Sequence, residues 1–240
     1  MIDWLARAPS EPEIELDGQA RPIVIRRHPT ARRLTLRLAA DGSEVRLTIP
    51  RWCPERDAIA FAHARREWLA GQLARIPARQ APAPGGMVSY RGRELALDWQ
   101  MRAPRRPRIA GETIQLGGPE AGMARRLQRW LEHEAMRLLA DDLAHYCDRA
   151  GQSVPQLRLS RAQRRWGSCS SQGIVRINWR LVQAPDFVRR SVVAHEVTHL
   201  VHFDHSPAFH ALLAQLFEGN LPAADRWLKR EGRTLYSAFG

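Results

Sequence analysis

Residues 191–210 of the chain read SVVAHEVTHLVHFDHSPAFH and contain the spacing His195-Glu196-x-x-His199. On a helix, residues four apart point to the same side, about 6 Å from each other, so two imidazoles can reach one metal ion. Glu196 follows the first histidine and lies near enough to contact a metal-bound water without binding the ion itself. Chance produces such a match in a chain of this composition about 2% of the time. The stretch therefore predicts a helix that carries a metal site.

A catalytic zinc ion usually takes three protein ligands, so a third ligand must come from elsewhere. His202 lies about 10.5 Å along the helix axis from His195, at 1.5 Å per residue, which is too far for three rings to converge easily on one ion. Ser206-Pro207 is typical of a new helix start, so the chain is expected to turn before it and bring His205 back towards the ion. His205 is the preferred third ligand. The alternatives that remain open are Glu218, His202 and His210.

The pattern around this stretch mixes strands and helices without βαβ alternation, which predicts an α+β fold with a small mixed or antiparallel sheet near the metal-binding helix. Alternating apolar residues from Glu13 to Ile49 predict an antiparallel β-meander with a turn at Asp41-Gly42. Further predicted elements are a helix over 54–76, strands around 88–99 and 108–116, a helix over 121–149, two strands within 157–181, and helices over 185–202, from 206 and over 223–231.

The same pattern predicts a loose terminus at residues 1–12, a β-rich region with one helix at 13–118, and a further region at 119–240 that contains the metal-binding helix. The Pro/Ala/Gly-rich segment Pro77–Gly86 is a loop or linker and is the preferred place for a domain boundary, beside the division at 118/119. The two regions are also compatible with one continuous unit over about 20–235.

Composition bounds the function further. The 240 residues are 44% hydrophobic and 26% charged, which excludes a collagen-like or wholly disordered chain. The sequence has no apolar run of membrane-spanning length and no secretory signal at its start, so the cytoplasm is the expected compartment. Three widely spaced cysteines make no disulfide framework. The net charge is +12, and all but one of the 37 Lys and Arg residues are arginine, which can reflect an anionic partner or base composition alone.

Four separated blocks of this sequence follow one another at characteristic spacing: residues 165–169 (RWGSC), 178–181 (NWRL), 195–199 (HEVTH) and 205–209 (HSPAF). Together they resemble the YgjP-like metal-dependent hydrolases, which are minimal zincins related to the SprT-like and WLM proteases. Similar segments extend back through residues 33–37 and the turn at Asp41-Gly42, so that the resemblance covers about residues 20–235. A metzincin is excluded because His202 stands where that class needs glycine, and no methionine follows Met136.

The resemblance implies that His195, His199 and His205 bind one zinc ion and that Glu196 is the catalytic carboxylate. His210 departs from the family pattern, which often has tryptophan there, so its place in the site stays open. The strand around Gly173–Trp179 is expected to pair with an extended substrate. Further candidate substrate-binding residues, in the connector before that strand, are Arg164, Arg165, Trp166 and Ser168.

The expected function is a zinc-dependent metallopeptidase that cleaves peptide bonds with an activated water and Glu196 as general base. One alternative keeps the metal and hydrolyses a phosphoanhydride, with Arg164-Arg165 as the phosphate contact. Another is a DNA-associated protease or nucleic-acid-binding module, since basic doublets such as Arg105-Arg106 and Arg125-Arg126 occur with tryptophans such as Trp68 and Trp130 nearby. A protein or peptide substrate is the expected partner, with no membrane, and the sequence does not predict the oligomeric state.

Overall fold

The structure, a computed structural model, describes residues 12–39, 41–74, 76 and 81–239. The chain divides into two units, Met1–Ala78 and Arg79–Gly240. Most of the predicted loose terminus (1–12) and part of the predicted linker (77–80) lie outside the described residues. The division between the units falls inside the segment 77–86. It therefore differs from a boundary at residues 118/119.

Eleven strands and six α-helices make up the described part of the chain, and none of these helices has both the length and the apolar character needed to cross a membrane. The strands are β1 Glu13–Leu16, β2 Gln19–Arg27, β3 Thr35–Leu38, β4 Val45–Ile49, β5 Met87–Tyr90, β6 Arg93–Gln100, β7 Arg108–Ala110, β8 Thr113–Gly117, β9 Leu157–Ser160, β10 Gly167–Cys169 and β11 Val175–Asn178. The helices are α1 Glu55–Ala64, α2 Arg66–Leu73, α3 Met123–Arg149, α4 Asp186–Thr198, α5 Pro207–Leu216 and α6 Leu221–Glu231.

The sheet of the first unit has the strand order β1-β2-β4-β3. The prediction of an antiparallel meander is wrong here, because β2 and β4 pair in parallel while β1 and β3 are the antiparallel edge strands. Local alternation marks each strand but carries no information about which non-adjacent strand it will pair with. The single helix predicted over 54–76 is interrupted at Arg65, so that two helices, α1 and α2, cover one face of this sheet.

The second unit begins with a sheet of the same order and the same pairing directions, β5-β6-β8-β7, with β6 and β8 parallel. Each sheet opens with a hairpin whose two turn residues have positive φ, Asp17-Gly18 in one and Arg91-Gly92 in the other. The apolar side chains of β5, β6 and β8 share one core with α3, α4 and α5. This shared core is why residues 87–117 belong with the C-terminal helices rather than with the first unit.

A third, mixed sheet with the order β10-β11-β9 lies in the same unit. β11 pairs in parallel with β9 and antiparallel with β10. Two sequence expectations are corrected. The segment 157–181 contains three strands, and Trp179–Val182 is a 3-10 helix that starts where the Asn178 side chain accepts a hydrogen bond from the backbone N–H of Arg180; all four of its side chains are buried. β11 is the central strand, so both of its edges are occupied and it cannot take an extended substrate strand.

The start of α4 is held by contacts from distant parts of the second unit. In the β5–β6 turn, the backbone N–H groups of Arg91 and Gly92 donate to the carbonyls of Val182 (2.8 Å) and Gln183 (2.9 Å). Gly92 has φ +76°, and a Cβ there would stand 2.8 Å from Pro185, so this close approach requires glycine. These contacts fix the place where α4 begins.

An ion-pair network continues the anchor into the first turn of α4. Arg189, 3% exposed, donates from Nε to Asp142 on α3 over 2.7 Å, and it also pairs with Asp186. Arg91 donates to Asp186 from the other side. Burial alone would raise the pKa of Asp186, but the hydrogen bonds from Arg91 and Arg189 hold it below its ordinary value. The network sets the orientation of the helix that carries the histidine motif.

Candidate metal centre

Three histidines converge at the C-terminal end of α4. His195 lies in the last turn of the helix and His199 is its C-cap residue. The chain then turns, and Ser206 accepts a hydrogen bond from the backbone N–H of Phe209 (3.4 Å) to cap α5. That turn brings His205 back to the other two rings, and one nitrogen of each ring lies within 4.8 Å of the others.

The separation of the ring nitrogens fits a single metal ion. Nε2 of His195 and Nε2 of His205 are 3.3 Å apart. Two nitrogens that bind one tetrahedral ion at about 2.0–2.1 Å stand about 3.3 Å from each other, so the observed spacing suits zinc. Structural zinc sites usually have four protein ligands. A set of three imidazoles leaves one tetrahedral position for water or substrate, as in catalytic zinc sites.

Neighbouring groups orient the rings. Nδ1 of His199 lies 3.0 Å from the carbonyl oxygen of His202. A proton on that nitrogen leaves Nε2 as the metal ligand, the arrangement that commonly fixes the tautomer of a ligating histidine. The ring of Phe209, which is fully buried, packs against all three imidazoles with centroid distances of 4.7–5.0 Å. Phe209 is therefore an apolar packing partner that the three ligand rings share.

The protonation of His195 also suits metal binding. Burial, together with the positive charge that His199, His205 and His210 carry when protonated, lowers the pKa of His195 to about 4. The pKa of His199 is lowered as well, first by burial. Both imidazoles are therefore neutral at pH 7, and each has one unprotonated nitrogen whose lone pair can bind a metal ion.

Glu196 lies beside the cluster, buried to 5% exposure, with its side chain against Gly167 of β10. A Cβ at residue 167 would stand 2.4 Å from Oε1 of Glu196 and 2.7 Å from its Cγ and Cδ, so only glycine leaves room for this side chain. The backbone N–H of Cys169 donates to the carboxylate. Oε2 has no hydrogen-bond partner among the described residues. A buried carboxylate oxygen without a partner is expected where it meets a ligand or substrate.

Burial raises the pKa of Glu196 to about 7, against the lowering effect of the positive charge of Arg165 and of the Cys169 N–H. A carboxylate with a pKa near the working pH can both accept and return a proton. The arrangement therefore combines three metal ligands with a group suited to general acid–base chemistry.

A cavity of about 570 Å³ opens beside the cluster. His195, Glu196 and His210 line it on one side, and most of its other lining residues are apolar. Those on α4, α5 and α6 and just before β10 include Trp166, Val192, Leu213, Leu221 and Leu228. The cavity is large enough for a side chain of a bound peptide.

The other sequence-predicted site residues are placed as follows. Trp166 and His210 line the cavity, and the ring of His210 lies 6.4 Å from that of His205. Arg165 is exposed and acts on Glu196 through its charge. Arg164 is exposed and Ser168 is half-buried in β10. In the described part of the chain, neither of these two forms a hydrogen bond with a histidine of the cluster.

The competing third ligands do not join the cluster. Glu218 accepts a hydrogen bond from Tyr146 (3.0 Å) and forms an ion pair with Arg190. His202 contributes its backbone carbonyl rather than its ring. Sequence reasoning missed the parts played by Gly167 and Phe209. Both stand in quoted motif blocks, but nothing in the sequence shows what a glycine or a phenylalanine will face.

Comparison with known proteins gives a family match over most of the chain. A family model described as "YgjP-like, metallopeptidase domain" matches residues 32–231. Among solved structures, the metallopeptidase zymogen of Pyrococcus abyssi abylysin is similar at 21% sequence identity and a TM-score of 0.36, over 40% of this chain and 96% of that one. No curated protein matches the chain.

Proposed function

The chain belongs to the YgjP-like metallopeptidase family, and from that premise we propose that it is a zinc-dependent peptidase with Glu196 as its general base. The observation that carries the proposal is the juxtaposition of three imidazoles, with ligand atoms within 4.8 Å of one another, and a buried carboxylate that has one unpartnered oxygen. Histidine donors favour zinc over magnesium or calcium, although nickel and cobalt also suit them.

His195, His199 and His205 would hold the ion, and zinc bound there would supply a Lewis acid for the substrate carbonyl and lower the pKa of a water molecule to about 7. Glu196 would accept the proton of that water through Oε2 and return it to the leaving amine. The buried position of Glu196, between Gly167 and the Cys169 N–H, supports this role because it holds the carboxylate in one place. Arg165, whose charge acts on Glu196, is the candidate for stabilising the negative charge that develops on the substrate carbonyl oxygen.

The cavity beside Glu196 supports a protein or peptide substrate. Its apolar lining would receive an apolar side chain next to the scissile bond, while Trp166 forms part of its wall. We therefore expect cleavage to prefer a large apolar residue on one side of the bond.

The test compares the wild-type protein with Glu196→Gln, each assayed first for bound zinc. Both are incubated with an unfolded peptide mixture, and new termini are counted by mass spectrometry. We expect equal zinc content and new termini from the wild type alone. Equal cleavage by both proteins would refute the role of Glu196. No cleavage by either protein, with zinc bound in both, would direct attention to phosphoanhydride substrates.

The ligand set has a separate test that does not need a substrate. His205→Ala should lower the zinc content sharply, whereas Glu218→Ala, which removes one of the partners of Arg190, should keep it. The reverse result would make Glu218 the third ligand.

A further inference from the structure

Two of the basic doublets from the sequence meet at one cavity in the second unit. The cavity has a volume of about 690 Å³ and shares no lining residue with the one beside Glu196. One wall comes from the β6–β7 connection and the other from the first turns of α3. The lining residues that matter are Arg105, Arg106, Arg125, Arg126, Arg129, Trp130 and His133.

The arginines of this cavity, which we call the arginine cleft, differ from other arginines of the same unit. Arg91, Arg137 and Arg189 are each paired with carboxylates. In contrast, four arginines of the cleft are exposed and form no ion pair with any described carboxylate, and no carboxylate lines the cavity. These four are Arg105, Arg106, Arg125 and Arg129. Unpaired guanidinium groups gathered in a concavity repel each other, so an anionic ligand would stabilise them.

The fifth arginine and the helix start add to this positive charge. Arg126 is half-buried, and its terminal nitrogens donate to the carbonyls of Pro119 (2.6 Å) and Ala121 (3.5 Å), while its Nε has no partner. Gly122 caps the 27-residue helix α3 without a side-chain hydrogen bond, and no acidic residue occupies the first turn. No acidic residue of the first turn therefore offsets the positive end of the helix dipole.

Trp130 gives the cleft an aromatic surface. One part of its ring packs against Tyr90, with 5.4 Å between ring centroids, and the half-buried indole also lines the cleft. Guanidinium groups bind phosphates bidentately, and an indole stacks with an unpaired base. An acidic peptide would use the arginines but not the indole. A duplex keeps its bases stacked inside and would not offer one to it.

We propose that the arginine cleft binds single-stranded nucleic acid, with phosphates on the arginines and a base against Trp130. This goes beyond the peptidase function and does not depend on it. Shape and charge carry the proposal together, because the concave form, the unpaired guanidiniums and the indole coincide at one place.

The experiment measures binding of a fluorescein-labelled 20-nucleotide oligo-dT to the zinc-loaded full chain by fluorescence anisotropy, at several salt concentrations up to 200 mM. The variant is Arg125→Glu/Arg129→Glu, which reverses two exposed charges one helical turn apart. The matched control is Arg32→Glu/Arg33→Glu, an exposed doublet of the first unit with the same change in charge. A second cleft variant, Arg125→Gln/Arg129→Gln, removes the two charges without reversing them and replaces the first if that variant does not fold. The folding of each variant is checked by thermal unfolding.

We expect the wild type to bind and the cleft variant to lose at least about tenfold in affinity. The slope of log K against log[salt] should become shallower by about 1.4 in the variant, because each of two lost phosphate contacts of a single strand contributes about 0.7. The control should bind nearly as the wild type does. Equal losses in the control would show a general effect of charge and overturn the proposal. Displacement by poly-glutamate as efficient as by unlabelled oligo-dT would indicate an acidic protein ligand, and equal displacement by dTMP or inorganic phosphate would reduce the cleft to a small-anion site.

Discussion

Replacing Gly167 with alanine tests how the strand β10 positions the carboxylate of Glu196. The new Cβ would stand 2.4 Å from Oε1 and 2.7 Å from Cγ and Cδ of Glu196. Non-bonded carbon atoms rest about 3.5–4.0 Å apart, so the end of the Glu196 side chain must move by about 1 Å. A displacement of that size at a reacting group costs up to about 100-fold in rate. We therefore expect Gly167→Ala to lower kcat by about 100-fold while the zinc content stays unchanged.

The same substitution has a readout that does not need a substrate. Forcing a methyl group into a packed site costs about 1–3 kcal/mol of unfolding free energy, measurable by urea denaturation. If the clash with Glu196 is the cause, this cost should disappear in a Glu196→Ala background, which gives a coupling energy of the same size. Gly71→Ala is the control, because a Cβ on that α2 residue meets nothing within 4 Å. Full activity and full stability of Gly167→Ala would refute the reasoning.

Three further predictions concern the anchor of α4 and the cavity. Asp142→Ala leaves the buried guanidinium of Arg189 with one carboxylate fewer, and should lower the unfolding free energy by about 3–5 kcal/mol in denaturant titrations. Arg91 and Arg189 hold the pKa of Asp186 below its ordinary value, so the unfolded chain takes up a proton at this residue first as the pH falls. The contribution of ionised Asp186 to the free energy of unfolding is therefore present above about pH 4 and is lost as the pH falls below it. Unfolding followed from about pH 5 to about pH 3 should therefore show a smaller loss of stability in Asp186→Asn than in the wild type. Leu221→Trp should narrow the cavity and shift the cleavage sites towards smaller side chains, as read from the new termini.

The sequence predicted the features that depend on local chemistry. The α+β class is confirmed, and Ser206-Pro207 does begin α5. The turn inferred from that helix start is what brings His205 next to His195, although the ligand roles remain proposals. Hydrogen bonds to a cap and helical spacing are set within a few residues, so a single sequence reveals them.

Features that depend on distant residues could not be predicted. The parallel pairing of β2 with β4, and the central place of β11 in its sheet, follow from contacts between segments that local alternation does not connect. Trp179 continues the alternating pattern of β11 in the sequence but begins a 3-10 helix whose four side chains are all buried, which alternation alone does not reveal. Gly167 and Phe209 show the same limit at the site, since their importance lies in what they face.

The repeated sheet order has a consequence for how this chain could misassemble. Two four-strand segments of one polypeptide share their order and pairing directions, so strands of one have a geometrically acceptable partner in the other. Exchange between similar units is a known failure of folding in repetitive proteins. The turns at Asp17-Gly18 and Arg91-Gly92 oppose it, because tight hairpins close locally and quickly, before distant strands meet. Lengthening either turn should therefore favour dimers in which two copies of the chain exchange strands. The two short turns thus connect their strands and also oppose this exchange.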